Sequence, residues 1–454
     1  MSFWTYQNLA DVTGGQWLVG PDDLGAELTG LWHDTRDIQA GQAYLAIKGD
    51  NFDGHDFIGK AFDAGAALAI VSAALPSLEG EAGESTRNQP VLKVADTVVA
   101  LQDLARAYRD ELKRGGCKVI GIAGSNGKTT TRHLIHHVLT HAGLTGTQSP
   151  KSFNNHLGVP LTLLSAKSSD DFVAAEIGTN HPGEIDFLSA IARPDIAVIT
   201  SIGEEHLEFF KDIEGVTNEE LSIANYFDDQ TLCVVGNTVP WHDSPLEPAV
   251  LRVEPLAYAA KEIRRVIDPT HEPTRECAHL AAWVALIMDV DFDHAMKAMS
   301  CATTPPGRWE KIPLGNDVLV INDAYNANPT SLHEAIDSFC DQSAKRRVFV
   351  FGEMYELGDC SESYHAMAGQ NMCFMPMDVL VAIGPMAVHA YEASKDEKPS
   401  HFFESWSDDL PDQIAALLQP GDTVLLKASR GMRLERLIPA IERRFGAAQG
   451  DQPT

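Results

Sequence analysis

The sequence predicts an α/β protein built on parallel sheets with helices on both faces. Three observations carry this. Apolar runs of strand length recur between helical stretches, a glycine-rich turn leads one of them into a helix, and the alternation restarts after a proline–glycine break. Near-continuous apolar strands separated by helices indicate sheets buried on both faces. At 454 residues the chain is too long for one ordinary core, so two to four domains are expected.

From the N-terminus, residues 28–34, 43–47 and 67–71 read as strands, and residues 96–113 read as a helix ending at Gly115-Gly116, a candidate boundary. Residues 79–89 are polar and read as a surface loop. A buried strand at 118–123 runs through the glycine-rich turn into a helix over about 130–142. Strands follow at 172–177, 196–200 and 232–235. After Pro305-Pro306-Gly307 the pattern restarts, with strands at 318–322, 347–351, 379–383 and 424–427 and helices at 331–339 and 434–444.

Composition excludes several classes. Apolar residues at 44% suffice for buried cores, while 64 acidic against 35 basic residues give a formal charge of −29. With no basic block to offset it, this charge argues against nucleic acid or an anionic membrane as partner. Any nucleotide must be held by locally concentrated donors. Seven scattered cysteines with no C-x-x-C spacing fit a reducing compartment. The first residues lack a basic and then apolar leader, and no run of about eighteen apolar residues occurs, so a cytoplasmic location without membrane insertion is expected.

The strongest chemical signal is Gly121-Ile-Ala-Gly-Ser-Asn-Gly-Lys-Thr-Thr130. Small residues at Gly124, Ser125 and Gly127, with Asn126 between, let backbone N–H groups approach phosphate oxygens, and the helix start at Thr129 and Thr130 adds a favourable field. Lys128 supplies a point charge to the β- and γ-phosphates, and the Thr129 hydroxyl can ligate Mg²⁺. The strict G-x-x-x-x-G-K-S/T pattern is missed because Ile122 stands where it asks for glycine. Glu176 and His206 each lie just past an apolar strand, at the carboxyl edge where such sheets bind ligands. Beside a triphosphate they suit a cation held partly by substrate.

The G-x-x-G-x-x-G-K-T variant resembles the Mur ligases, and further blocks follow in the same order. His33-Asp-Thr-Arg36, Leu45-Ala-Ile-Lys-Gly49 and Phe52-Asp-Gly-His-Asp56 resemble the uridine-nucleotide domain of MurF-type members. Phe153-Asn-Asn-His-Leu-Gly158, Glu176-Ile-Gly-Thr-Asn-His-Pro-Gly-Glu184 and Thr200-Ser-Ile-Gly-Glu-Glu-His-Leu-Glu208 match the substrate, glutamate-ligand and histidine-ligand blocks. Pro306-Gly-Arg308, Asn322-Asp-Ala-Tyr-Asn-Ala-Asn-Pro329, Gly352-Glu-Met-Tyr-Glu-Leu-Gly358 and Lys427-Ala-Ser-Arg430 complete the set.

The resemblance implies three domains: residues 1–114 for the uridine nucleotide, 115–306 with a central P-loop-type doubly wound sheet for ATP, and 307–454 with a Rossmann-like sheet for the incoming amine. It implies ATP and Mg²⁺ as cofactors, with UDP-N-acetylmuramoyl-tripeptide and D-Ala-D-Ala joined through an acyl phosphate by a monomer. Lys128, Glu176, His206 and Arg308 are the implied catalytic residues. ATP would contact Gly124 to Thr130, Arg308 and Asp323. Substrate contacts fall to Thr35, Arg36, Lys48, Asn154, Asn155, Asn326, Asn328 and Arg430, and metal contacts to Thr129, Glu176, His206 and Glu220.

The departures matter. Asn322, Ala324 and Glu353 replace the family's Asp, Ser and Asp, and Thr274 to Ala282 lacks both asparagines of the adenine-side helix. The stretch from Trp241 to Pro273 is shorter than the usual connection, so some central strands are open to doubt. Glu220 stands where the family carries a lysine carbamylated into an anionic ligand. Glutamate supplies that carboxylate without CO₂, on a stem about 3–4 Å shorter. Two other readings stay open: a ligase of the same fold adding a single amino acid, and a nucleotide binder without ligase activity.

Overall fold

The computed structural model describes residues 2–49, 51–73, 88–242, 244, 246, 249, 267 and 271–447. Most of the expected 79–89 loop and most of the 241–273 connection lie outside them. The described chain forms three sheets. The first orders β1 (Gln16–Val19), β5 (Val91–Lys93), β4 (Leu68–Val71), β3 (Ala43–Leu45) and β2 (Leu31–Trp32), all parallel except β1 against β5. The second orders β10 (Leu232–Val235), β9 (Ile196–Ile199), β6 (Lys118–Ala123), β8 (Phe172–Glu176) and β7 (Gly146–Gln148), parallel throughout. The third orders β11 (Glu310–Pro313), β12 (Leu319–Asn322), β16 (Asp422–Lys427), β13 (Arg346–Gly352), β14 (Val379–Ile383) and β15 (Ser400–Phe403), parallel except β11 against β12. The fold class is the expected α/β one, with a doubly wound central sheet and a Rossmann-like C-terminal sheet.

The long apolar strands behave as their pattern demands. β8, β9 and β14 are buried at every position, because helices cover both faces. Sequence reading misses the short edge strands β1, β7, β11 and β15, which are only partly buried and so leave no apolar run. The strand expected over 28–34 contracts to the two residues of β2. The helix expected over 434–444 divides into a 3₁₀ turn, Leu434–Leu437, and an α-helix, Ile438–Phe445, whose first turn holds a proline. Pro439 lacks the N–H that would continue one helix through both.

The helix Thr97–Gly115 joins the first two sheets. Asp96 caps its start, and Gly116 ends it in a left-handed conformation at φ 89°. One buried cluster runs from Leu9 and Leu45 through Leu101, Leu104 and Leu112 to Val119 and Leu161, so this helix is packed from both sides. Its Arg109 is buried, yet its guanidinium donates to the carbonyls of Ala192 and Arg193 and to Asp195 at 2.7–3.1 Å. Buried charge is tolerable only with partners of this kind.

Candidate active site

The central strand β6 has β9 on one side and β8 on the other, so the crevice of a doubly wound sheet opens at its carboxyl end. There the chain turns through Gly124, at φ 113°. A Cβ at this position would lie 2.4 Å from Thr200 Oγ1 and 2.7 Å from Thr200 N, so only glycine fits. The turn is pinned from behind. Gly124 N–H donates to Glu220 Oε2 at 2.7 Å, Ser125 N–H to the Ser201 carbonyl at 2.8 Å and Asn126 N–H to Ser201 Oγ at 3.0 Å. The helix Lys128–His141 then begins with no side-chain cap. Its first N–H groups have no intrahelical partner, so the helix start, rather than the whole turn, is what can receive an anion.

A cavity of about 390 Å³ opens over this start, and both the second and third sheets contribute to its wall. Lys128 Nζ folds back onto the carbonyls of Gly124 and Ser125 and lies 3.9 Å from Glu205 Oε2. Thr129 Oγ1 donates to Glu176 Oε2 at 3.1 Å, while Glu176 Oε1 accepts from Arg132 Nε at 2.8 Å. Arg132 also reaches Gln148 and the carbonyls of Ser149 and Lys151, which fixes the Glu176 carboxylate in place. His206 pairs its Nδ1 with Glu356 and keeps Nε2 3.8 Å from Glu205 Oε2.

The facing wall comes from the third sheet. Arg308 Nη2 donates to Thr129 Oγ1 at 2.7 Å, and its guanidinium lies 4.1 Å from the centre of the Tyr325 ring. Burial lowers the Arg308 pKa; guanidinium's high starting value keeps it charged. Asp323, at the end of β12, accepts from Lys427 Nζ at 2.6 Å and from Trp309 N–H at 3.0 Å. Glu334 also faces the cavity, and burial, with the charge of Glu276 adding to it, pushes its carboxyl up to about 7.

Of the other expected residues, Asn154, Asn155 and Asn326 line the cavity. Asn155 Oδ1 accepts from the N–H groups of Leu157 and Gly158 at 3.2 and 2.9 Å, so it also holds the start of the next helix. Asn328 is not on the wall. It caps the helix Pro329–Cys340 and donates to Asn126 Oδ1 at 2.9 Å, stapling the two walls. Arg430 lies outside the cavity, paired with Glu435 at 2.8 Å. Arg36, with Thr35 beside it, and Lys48 follow the carboxyl ends of β2 and β3, away from the cavity wall. Arg36 pairs with Asp34, whose carboxyl it holds near 2, and Lys48 lies 3.9 Å from Asp53.

Glu220, expected among the metal contacts, does not line the cavity. Its carboxylate is fully buried behind the turn, bonded to Gly124 N–H, and is not part of the cavity wall. Burial pushes its carboxyl up to about 8, against the opposing charge of Lys128. The neighbouring Glu219 points elsewhere and accepts from the N–H groups of Gly183 and Ile185 at 2.7 and 2.8 Å, fixing the start of the helix Glu184–Ala192.

A further carboxylate on the wall is Glu205, which sequence reading missed. It is buried, and its Oε1 has no hydrogen-bond partner. Its adjacency to His206 was the available signal. Tyr325 and Glu334, which line the cavity, and Arg132, which holds Glu176 from behind it, were also missed, since nothing local marks them.

Comparison with known proteins places the chain among relatives of one family. Residues 27–109 match the Mur ligase family catalytic domain, 122–250 the Mur ligase middle domain and 307–430 the Mur ligase glutamate ligase domain. The UDP-N-acetylmuramoyl-tripeptide–D-alanyl-D-alanine ligase of Bacillus subtilis is 32% identical over 96% of this chain and 97% of its own length. Its counterpart from Escherichia coli K12 is 27% identical over 96% and 98%. Among solved structures, MurF from Acinetobacter baumannii superposes with a TM-score of 0.80 at 28% identity, covering 97% of this chain and 99% of that one.

Proposed function

The chain belongs to the Mur ligase family, and from that premise we propose that it is an ATP-dependent ligase joining D-Ala-D-Ala to UDP-N-acetylmuramoyl-tripeptide in peptidoglycan precursor synthesis. The observation that carries the reading is the 2.7 Å bond from Arg308 to Thr129 Oγ1, which sets a guanidinium of the third sheet against the helix start of the second. A cleft of that kind suits a triphosphate on one wall and an acceptor on the other. The division is residues 1–114 for the uridine nucleotide, 115–306 for ATP and 307–454 for the dipeptide. The protein acts as a cytoplasmic monomer; no described helix is long and apolar enough to cross a membrane.

The donor set fits Mg²⁺. Glu205 Oε1 is a buried carboxylate oxygen without a partner on the cavity wall, and Thr129, Glu176 and His206 stand around the same space. Oxygen-rich sites of this kind suit a hard cation shared with substrate phosphates. When bound, Mg²⁺ supplies neutralisation of phosphate charge.

The protein's own groups do the rest. Helix-start N–H groups from about Gly127 to Thr130 receive phosphate oxygens. Lys128 leaves the carbonyls of Gly124 and Ser125 to meet the phosphoryl group in transfer, and Arg308 meets it from the opposite wall. The tripeptide's terminal carboxylate takes that phosphoryl group, giving an acyl phosphate and ADP. The amine of D-Ala-D-Ala, oriented by Asn326 and Asp323, attacks the acyl carbon and releases phosphate. Catalysis is positioning plus charge neutralisation. The closed cleft keeps water from the acyl phosphate. Glu220 acts through Gly124, holding the turn from behind by the hydrogen bond it accepts.

Phosphate release and product mass test the reading. Purified protein with ATP, Mg²⁺, UDP-N-acetylmuramoyl-tripeptide and D-Ala-D-Ala forms the pentapeptide product and one phosphate per amide bond. Product from a single amino acid, with none from the dipeptide, overturns the substrate assignment. Absence of any product overturns the ligase assignment.

A further inference from the structure

The phosphate-loop helix carries His133, His136, His137 and His141, and the nucleotide site uses none of them. Four residues apart on a helix means one shared face. The rings of His137 and His141 stack accordingly, with centroids 5.2 Å apart. The turn after the helix Phe292–Met299 then delivers Cys301 against this pair. Its Sγ lies 3.7 Å from His137 Nε2 and 3.9 Å from His141 Nε2, and all three donor atoms fall within 4.8 Å of one another. A tetrahedral centre with metal–sulfur and metal–nitrogen bonds of about 2.3 and 2.05 Å has N···S edges of about 3.6 Å. The sulfur is therefore within a few tenths of an ångström of ligating distance to both rings before any ion arrives.

We propose that His137, His141 and Cys301 bind a borderline-soft divalent transition metal of the Zn²⁺ class, at a surface site separate from the nucleotide cavity. Two imidazoles and a thiolate select such an ion over Mg²⁺ or Ca²⁺, which prefer all-oxygen shells. Three protein ligands leave the fourth position to water.

Binding has a defined proton balance. His137 Nε2 and Cys301 Sγ now share one acceptor, the Ala298 carbonyl, at 2.9 and 3.1 Å. On binding, the thiol proton leaves to solvent, the His137 ring proton moves to Nδ1, and the freed lone pairs form the N–metal and S–metal bonds. The Ala298 carbonyl keeps the Cys301 N–H, at 3.2 Å, so no backbone acceptor is stranded. Because a proton is released, affinity rises with pH. The ion ties the end of the phosphate-loop helix to the segment that runs on to Arg308. At 1.5 Å per residue it lies about 15–20 Å from Lys128, too far to touch a bound nucleotide.

Titration of the untagged chain with Co²⁺, a spectroscopic substitute for Zn²⁺, tests this. One equivalent produces a thiolate-to-cobalt charge-transfer band in the near ultraviolet. Zn²⁺ abolishes the band by displacement, and a large excess of Mg²⁺ leaves it unchanged. Cys301→Ser removes the band, and His141→Ala weakens Co²⁺ and Zn²⁺ binding at least tenfold. Both positions are exposed, so the metal-free melting curves of the variants match the parent's. Absence of a one-equivalent band in the parent overturns the site. So does a band that survives Cys301→Ser, or undiminished binding in His141→Ala.

Discussion

The two walls of the cavity are built on different principles. The wall at the end of β6 is held by backbone: Gly124, Ser125 and Asn126 spend their N–H groups on Glu220 and Ser201, and the turn they make has one conformation. The wall from the third sheet is held by side chains, with Arg308 stretched to Thr129, Asn328 to Asn126 and Tyr325 to Ser152. Backbone contacts preorganise the site before any ligand binds. Long polar side chains can exchange each other for ligand oxygens. In the proposed reading, the first wall sets where the phosphates go and the second offers the side chains that meet them.

The largest effect belongs to the preorganised wall. Lys128→Ala removes the charge nearest the phosphoryl group and lowers turnover by about 10³-fold or more, with the fold intact. Circular dichroism and steady-state phosphate release check this; near-parental turnover in a folded variant would break the assignment of that wall. Arg308→Ala removes the opposite charge and reduces kcat/KM by about 10²-fold. A loss in Arg308→Ala equal to that in Lys128→Ala would show that the walls are not ranked as described.

Glu220 sharpens the comparison from behind. Its replacement by alanine leaves Gly124 N–H unpartnered, so activity falls about 10–100-fold through loss of the hydrogen bond and of the turn's geometry. Because the carboxylate is part of the side chain, bicarbonate depletion leaves the parent unaffected and bicarbonate does not rescue Glu220→Ala. Recovery of the variant with bicarbonate, or full activity without any, would remove Glu220 from the account.

The smallest effect concerns Glu334. Its folded pKa of about 7 lies above the unfolded value of about 4.3. The folded state therefore holds this proton more tightly, and ionisation destabilises it. Stability linked to this group is intact below about pH 4.3, is lost as pH rises between the two values, and is absent above about 7. Glu334→Gln escapes the loss, so its Tm exceeds the parent's by about 2–4 °C near pH 8.5 and equals it near pH 4. A gain of the same size at both pH values would assign the effect to packing instead.

How much could be read from sequence follows the same division. Gly124, Gly127, Lys128 and Thr129 were legible because a turn between a buried strand and a helix needs those residue types in that spacing. Glu176 and Arg308 were legible as a strand end and a boundary residue. Glu205 was hidden beside His206, since the turn that lets two adjacent polar residues both reach the cavity is a matter of backbone conformation; here His206 sits at φ 48°. Asn328 looked like a ligand contact and serves as a helix cap and a staple, two roles that one asparagine can fill only once Asn126 is brought near. The edge strands β1, β7, β11 and β15 were illegible because partial burial leaves no apolar run.

The central claim is that the cavity transfers a phosphoryl group to a carboxylate before an amide bond forms. It is tested most directly with tripeptide substrate labelled with ¹⁸O in its terminal carboxylate. Each turnover with ATP and D-Ala-D-Ala should release phosphate carrying one ¹⁸O atom, read by mass spectrometry. Amide product accompanied by unlabelled phosphate would contradict the account.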